Sequence, residues 1–337
     1  MKLLLIRFSS IGDIVLTTPV IRCLKLQRPG DEIHFFTKPE FGDMLAASPY
    51  IEKVHLLDPE PGKQYRKLAG EGFDELIDLH HNARTLRIKN AMGIPSFSFP
   101  KLNGQKWLMV KFKWNFLPDQ SVVDRYMDTV NHLGVINDHQ GLDYFIPPAD
   151  RVSEGTLPVS HASGFIALAI GAAHFTKRLP VEKLKELCDR IHYPILLLGG
   201  KEDIPAAEVL TSSDSQKIFN GCGKFSINAS ADLVRQAKLV ISHDTGLMHI
   251  ATAFKKPLIS IWGNTIPEFG MFPYYGYNNL QFPDDRMDII QHKGLYCRPC
   301  TKIGYSRCPK GHFRCMQDLD MQEIATRVEQ KMRKAIN

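Results

Sequence analysis

The chain lacks any run of about 18 uninterrupted apolar residues, which excludes a helix that spans a bilayer. Its opening MKLLLIRFSS is too short for a secretory signal and is interrupted by Arg7 and Asp13. Low-complexity tracts and short-period repeats are missing. A composition of 44% apolar and 23% charged residues excludes disorder over most of the length. A soluble cytoplasmic protein is expected, and 337 residues at about 150 per domain suggest roughly two domains. Two nucleotide fingerprints are missing as well. No G-x-G-x-x-G follows any predicted strand, which argues against a nicotinamide oxidoreductase, and the glycine content is too low for a Walker A loop.

Acidic residues are absent from two stretches. Residues 1–150 balance 18 basic against 18 acidic side chains, so the net charge of +6 comes from the second half. Arg84 to Lys113 nevertheless holds seven basic residues and no acid, and Lys293 to Arg314 holds six. Such runs are either solvated faces or contacts for phosphates on a nucleotide, a nucleic acid or an anionic lipid. Trp107, Phe112 and Trp114 interleave the first, which would suit a phosphorylated lipid core at a membrane face.

What is present is an alternation of short apolar runs with helical patterns. KLLLIRF (2–8), EIHFFTK (32–38), KVHLLD (53–58) and ELIDLH (75–80) read as strands, with helices at Ile14–Leu26 and around Met44–Ala47. FIPPAD (145–150) suits a linker, after which the pattern restarts. GFIALAIGA (164–172), YPILLLGG (193–200), KLVISHD (238–244) and KPLISIWG (256–263) are strands. Val181–Arg190, Ala229–Gln236 and Gly246–Phe254 are helices, and Met321–Ala335 closes the chain. Two βαβ series of similar size predict an α/β protein of two doubly wound, Rossmann-like domains, 1–150 and 151–337, facing a central cleft.

Ligands gather where strand carboxyl ends meet the following helices. The first such junction is Ser9-Ser10-Ile11-Gly12-Asp13, where Gly12 admits a close ligand and Ser9 and Ser10 are small and polar. Asp13 is either a helix cap or a carboxylate that accepts a proton from a substrate hydroxyl. The second is Asp244-Thr245-Gly246, opening a helix whose free N–H groups suit a diphosphate, with Asp244 orienting a hydroxyl or capping the helix. His249, three residues into that helix, reads as a packed core histidine. In a third loop Lys177 would neutralise charge on a departing diphosphate and Thr176 would hydrogen-bond the same group, unless the loop is simply solvated. Glu202 and Asp203 follow Gly199-Gly200 at a strand end where an acid commonly binds ribose.

These motifs, in this order, resemble the heptosyltransferases of glycosyltransferase family 9, which act in lipopolysaccharide core synthesis. The matching pieces are IRFSSIGDIVLTTPVIRCLK (6–25), VVDRYMDTVNHLG (122–134), the Thr176-Lys177 loop, LLLGGKED (196–203) and SHDTGLMHIATAFKKPLISIWG (242–263). CRPCTKIGYSRCPKGHFRCM (297–316) is similar to a cysteine-rich tail of the heptosyltransferase II-like branch. The resemblance implies a GT-B fold with the acceptor, a lipid A-core, in the N-terminal domain and a nucleotide-sugar donor in the C-terminal one. The implied reaction is inverting transfer of heptose from ADP-L-glycero-D-manno-heptose to the lipopolysaccharide inner core. Asp13 would be the general base, with Ser9, Ser10 and Gly12 on the acceptor side. Lys177 and Thr176 would stabilise the ADP leaving group, while Asp244, Thr245 and Gly246 hold diphosphate and sugar. No metal or redox cofactor and no nucleic acid are implied, and contact with the inner membrane face is peripheral.

A different nucleotide sugar or acceptor within the same family is the competing reading. Cys297, Cys300, Cys308 and Cys315 admit a further one. The Cys297-x2-Cys300 pair fits a structural zinc, whereas six residues separate Cys308 from Cys315, so packed reduced thiols and a disulfide stay open beside zinc. A nucleic-acid-binding zinc ribbon would explain the basic tail but leave the loops at 9–13 and 242–246 without a role. Cys23, Cys188 and Cys222 read as buried small hydrophobes.

Overall fold

The computed structural model describes all residues except Glu60, Asn278 and Asn337, and all other side chains except those of Pro61, Lys63, Glu154 and Ile336. Five strands, β1 (Lys2–Ile6), β2 (Glu32–Thr37), β3 (Lys53–Leu56), β4 (Glu75–Asp78) and β5 (Ser96–Ser98), form a parallel sheet in the order β3-β2-β1-β4-β5. Six more, β6 (Ile166–Ala169), β7 (Ile195–Leu198), β8 (Ile218–Asn220), β9 (Leu239–His243), β10 (Leu258–Trp262) and β11 (Met287–Gln291), form a second parallel sheet ordered β11-β10-β9-β6-β7-β8. The central strands are buried along nearly their whole length, as expected when helices cover both faces. In each sheet the chain order reverses between two neighbours, β1 and β4 in the first and β6 and β9 in the second. Those two reversals are where a crevice opens at the strand carboxyl ends.

The helices of the first half are α1 (Ile11–Val15), α2 (Thr18–Gln27), α3 (Pro61–Ala69), α4 (Ala83–Met92), α5 (Asn103–Phe112) and α6 (Val122–Met127). Those of the second are α7 (Val181–Arg190), α8 (Ile204–Thr211), α9 (Ile227–Gln236), α10 (Gly246–Ala253), α11 (Arg314–Gln317) and α12 (Met321–Ile336). Among the described residues no helix is long and apolar enough to cross a membrane.

The helix expected over 14–26 is two helices. Pro19 in the first turn of α2 has no N–H to continue the ladder, and the hydroxyls of Thr17 and Thr18 donate instead to the carbonyls of Ile14 and Val15. The helix expected around Met44–Ala47 is a 3-10 turn over Pro39–Met44. The edge strands β5, β8 and β11 lack the apolar runs that revealed the central ones.

One apolar cluster runs from β1 through α1, α2 and α6 into α9 and α10, so the two sheets share a core. Two glycines, Gly12 and Gly246, lie close together where the halves meet. A Cβ on Gly12 would lie 2.6 Å from Cδ2 of the buried His249 and 3.5 Å from the Gly246 Cα, and one on Gly246 would lie 2.7 Å from the Ile11 Cβ. The amino ends of α1 and α10 therefore meet closely, with the His249 ring against Gly12 and the Ile11 side chain against Gly246. Gly12→Ala is expected to cost about 1–3 kcal/mol of unfolding free energy by overpacking. Gly30→Ala, where a Cβ meets nothing within 4 Å, is expected to be neutral or slightly stabilising. Denaturant titration of the two variants checks this.

Candidate active site

Between the carboxyl ends of the two sheets lies a cleft of about 820 Å³, within the size range of small-molecule sites. The first-half wall carries Arg7, the loop Ser9 to Asp13, His80, Lys101, Lys106 and Tyr126. Facing it are Gly171 to His174, Lys177, Glu202, Asp244 to Leu247, His249 and Trp262. All four loops that follow the reversal strands β1, β4, β6 and β9 reach this cleft.

Ser10 is the N-cap of α1, and Asp13, three residues in, shares in the capping by accepting from the Ser10 backbone N–H as the partner of a capping box. One carboxylate oxygen accepts from the Ser10 N–H at 3.0 Å and its hydroxyl at 2.8 Å, while the other meets the Arg7 guanidinium at 2.5 Å. Burial alone would push the carboxyl up; the Arg7 charge and the two Ser10 hydrogen bonds outweigh it and hold Asp13 below the usual aspartate range. Arg7 also donates to the carbonyls of Ser9 and Leu79, so one side chain fixes the β1 loop, the β4 loop and the carboxylate between them. A lone arginine at the end of an apolar strand was the available signal for this role.

On the facing wall Lys177 Nζ lies 2.5 Å from Asp244 Oδ2, and the Thr265 hydroxyl donates to the same oxygen at 2.9 Å. Thr245 precedes α10 and pairs with the Ser242 hydroxyl at 3.1 Å, leaving the helix's amino end toward the cleft. His249 packs under Gly12 and feels both Asp13 and Asp244, yet burial pushes its pKa down to about 4 and keeps it neutral. His80 is likewise held near 4 by burial, with Arg7 and Lys101 adding to the effect.

Thr176 departs from expectation. It is fully buried, outside the cleft lining, and its hydroxyl accepts from the Tyr305 N–H at 2.9 Å and donates to the Tyr305 carbonyl at 3.3 Å. Its hydrogen bonds are committed to the tail, which leaves Lys177 as the group of that loop facing the cleft. Asp203 is buried against Arg178 at 2.9 Å and the Gly200 N–H, joining the ends of β6 and β7, whereas Glu202 is exposed at the cleft.

The two acid-free stretches meet. Lys113 donates to the carbonyls of Cys297 and Pro299, and Lys302 reaches Asn103 at 3.1 Å, so the tail lies along α5 and adds Lys302 to the cleft lining. Cys297 and Cys315 are buried and Cys300 and Cys308 half-buried in the second core. Among the described residues no three of these sulfurs lie within 4.8 Å of one another, whereas thiolates on one tetrahedral zinc sit about 3.8 Å apart. The grouping that meets that limit is His34, His55 and Glu71, toward the amino end of the first sheet and away from the cleft. There Lys2 and Lys53 already neutralise Glu71, a poor setting for a cation.

Two facing Rossmann-like sheets with paired reversal points on one cleft define the GT-B architecture of nucleotide-sugar-dependent glycosyltransferases. Residues 63–285 match the family model Glycosyltransferase family 9 (heptosyltransferase), and the chain belongs to this family, a family of glycosyltransferase enzymes. It is similar to Lipooligosaccharide heptosyltransferase 2 of Haemophilus influenzae, 25% identical over 294 residues that cover 80% of this chain and 85% of that one. The fold matches the structure of Escherichia coli ADP-heptose lps heptosyltransferase II with a TM-score of 0.72, at 18% identity and over 100% of both chains. It also matches a glycosyl transferase family 9 protein of Veillonella parvula with a TM-score of 0.76, at 19% identity over 99% and 97%.

The Arg7–Asp13 pair generates a measurable expectation. In an NMR titration the Asp13 carboxyl is expected to titrate below about 3.9, its ordinary value. In Arg7→Met it is expected above that value, because burial then acts against one fewer opposing charge. A titration unchanged by the substitution would refute this account.

Proposed function

We propose that this enzyme transfers heptose from ADP-L-glycero-D-manno-heptose to the inner core of lipopolysaccharide, by single displacement with inversion. The observation that carries the reading is the opposition of Asp13 on one wall to Lys177, Asp244 and the amino end of α10 on the other. The names of the Haemophilus and Escherichia relatives support the donor and acceptor classes.

In this mechanism the acceptor lies against the first-half domain, 1–150, beside Ser9, Ser10 and Gly12. Asp13, ionised at neutral pH, takes the proton of the acceptor hydroxyl as its oxygen bonds to the anomeric carbon. The bond from that carbon to the diphosphate breaks on the opposite face of the sugar, and ADP leaves with the electron pair. Lys177, exchanging Asp244 for phosphate oxygen, and the N–H groups of Thr245 and Gly246 stabilise the charge that develops. Asp244 turns to sugar hydroxyls, Glu202 to the ribose, and Leu198, Phe225 and Ile227 offer the base an apolar bed. Thr176 acts through the tail, by holding the Lys177 loop against Tyr305. The positive charge needed comes from protein groups, so this scheme requires no cofactor. Arg7 is a positioning residue.

A lipid-linked acceptor also implies peripheral contact with a membrane. Trp107, Trp114 and Phe116 are each more than half exposed on and after α5, with Phe112 stacked on Trp114 and Lys111 beside it. Aromatic rings with interleaved cations and no acids suit an anionic lipid surface.

The decisive assay offers ADP-heptose and a panel of truncated core acceptors to the wild type and to Asp13→Asn. The wild type is expected to transfer heptose, and the variant to lose about 10²–10⁴-fold in rate while its ADP affinity stays within about twofold. Wild-type protein that binds ADP but transfers heptose to no acceptor would overturn the donor or acceptor assignment. For the membrane contact, Lys111→Glu with Trp114→Ser and Phe116→Ser is expected to abolish sedimentation with anionic vesicles. Undiminished sedimentation would remove that part of the reading.

A further inference from the structure

We infer that the adenine of the donor is held between the two halves of the chain, with Phe41 of the first half on one face of the base and Leu198 with Ile227 of the second half on the other. The inference rests on the proposed function, which places the nucleotide in the second half, and adds the first-half group that closes its base pocket.

Topology gives each part of the donor its place. From the reversal point outward the second sheet runs β9-β6-β7-β8. The amino end of α10 follows β9, Glu202 follows β7, and Phe225 and Ile227 lie between β8 and the first turn of α9. In this order diphosphate, ribose and base take successive strand ends. In the first sheet β2 lies on the side of β1 away from β4, and the turn that follows it, Pro39–Met44, reaches the amino end of α9. The buried Asn228 makes that contact. Its Nδ2 donates to the Asp43 carbonyl at 3.3 Å and to the Asp150 carboxylate at 2.9 Å, and its Oδ1 accepts from the Tyr144 hydroxyl at 2.6 Å. Phe41 and Ile227 flank the contact from opposite halves, and both line the cleft.

The chemistry of this end of the cleft suits a base rather than a phosphate. The lysines and arginine of the lining come from other loops, whereas the Phe41 turn and α9 contribute Phe41, Ile227 and Ser230. Phe41 and Phe225 are half-buried, and among the described residues neither ring has an aromatic or cationic partner. Ser230 is also half-buried, and its hydroxyl makes no hydrogen bond among the described residues. A heteroaromatic base has two apolar faces and a polar edge. A ring above it, aliphatic side chains below it and a hydroxyl at the rim match that shape and chemistry. Because each half supplies one face, donor affinity depends on a residue of the half that holds the acceptor.

The test measures ADP binding to the full chain by calorimetry. Phe41→Ala is expected to raise the ADP Kd about fivefold to a hundredfold, the span of base–aromatic stacking. Inorganic pyrophosphate, which lacks the base, is expected to bind wild type and variant alike, which also checks folding. Phe41→Tyr keeps the ring and is expected to stay within about threefold of the wild type. In transfer assays Phe41→Ala is expected to raise the KM for ADP-heptose and leave kcat within about twofold, because a base contact is the same in ground and transition states. A readout independent of affinity is the emission of Phe41→Trp. Saturating ADP is expected to quench it beyond the change seen in the wild type, and ribose 5-phosphate is not. An ADP Kd unchanged in Phe41→Ala, equal weakening of ADP and pyrophosphate, or Phe41→Trp emission indifferent to ADP overturns the inference. If ADP binding follows Phe41 while no acceptor receives heptose, the sugar or acceptor assignment of the proposed function falls and the base pocket stands.

Discussion

Everything in the cleft depends on the close approach of two helix ends. Gly12 and Gly246 let the amino ends of α1 and α10 meet closely, the buried His249 ring packing on Gly12 and the Ile11 side chain on Gly246. Because α1 follows β1 and α10 follows β9, this contact sets the reversal point of one sheet opposite that of the other. Asp13 and Asp244 are then carried to facing walls by the strands and helices that end there. A larger residue at either position would separate the walls before it disturbed either sheet. The two glycines, read from sequence as room for a ligand, are first of all room for the opposite helix.

Around that contact the charges are arranged in spent pairs and unspent ones. Asp13 with Arg7 and Lys177 with Asp244 are each closed ion pairs inside a partly desolvated site. Pairs of this kind contribute little net stability, since desolvation offsets much of the attraction, but they fix geometry. The Arg7 pair holds a carboxylate ionised and aimed. The Lys177 pair holds an ammonium in the cleft lining, beside the amino end of α10. Between them His249 stays neutral although two carboxylates pull its pKa upward, because burial dominates. Asp13 ionised and His249 neutral are thus set by the surrounding protein, the kind of preorganisation that electrostatic stabilisation requires.

The central strands, the two reversal loops and their polar residues were legible in the sequence, because a buried parallel strand is a continuous apolar run and its end is a sharp change to small, polar residues. The loops at 9–13 and 244–246 were found that way, and both reach the cleft. What was not legible depended on distant partners. Thr176 precedes Lys177 and reads as its companion, yet its hydroxyl bonds Tyr305, 129 residues away. Arg7 reads as an interruption, and its role exists only once Leu79 and Asp13 are brought beside it. The acid-free stretches were visible separately, but composition could not say that they pack on one another.

That packing ties the tail to both halves of the chain. Tyr305 is tied to Thr176 through three hydrogen bonds in the second half of the chain. A few residues away, Cys297 and Pro299 accept from Lys113, and Lys302 reaches Asn103, both in the first half. One short segment thus spans both walls on the side opposite the shared apolar core. Separating the walls there breaks hydrogen bonds worth about 0.5–1.5 kcal/mol each, whereas separating them at Gly12 and Gly246 exposes buried apolar surface. The thiols at 297, 300, 308 and 315 pack the root of this segment into the second core.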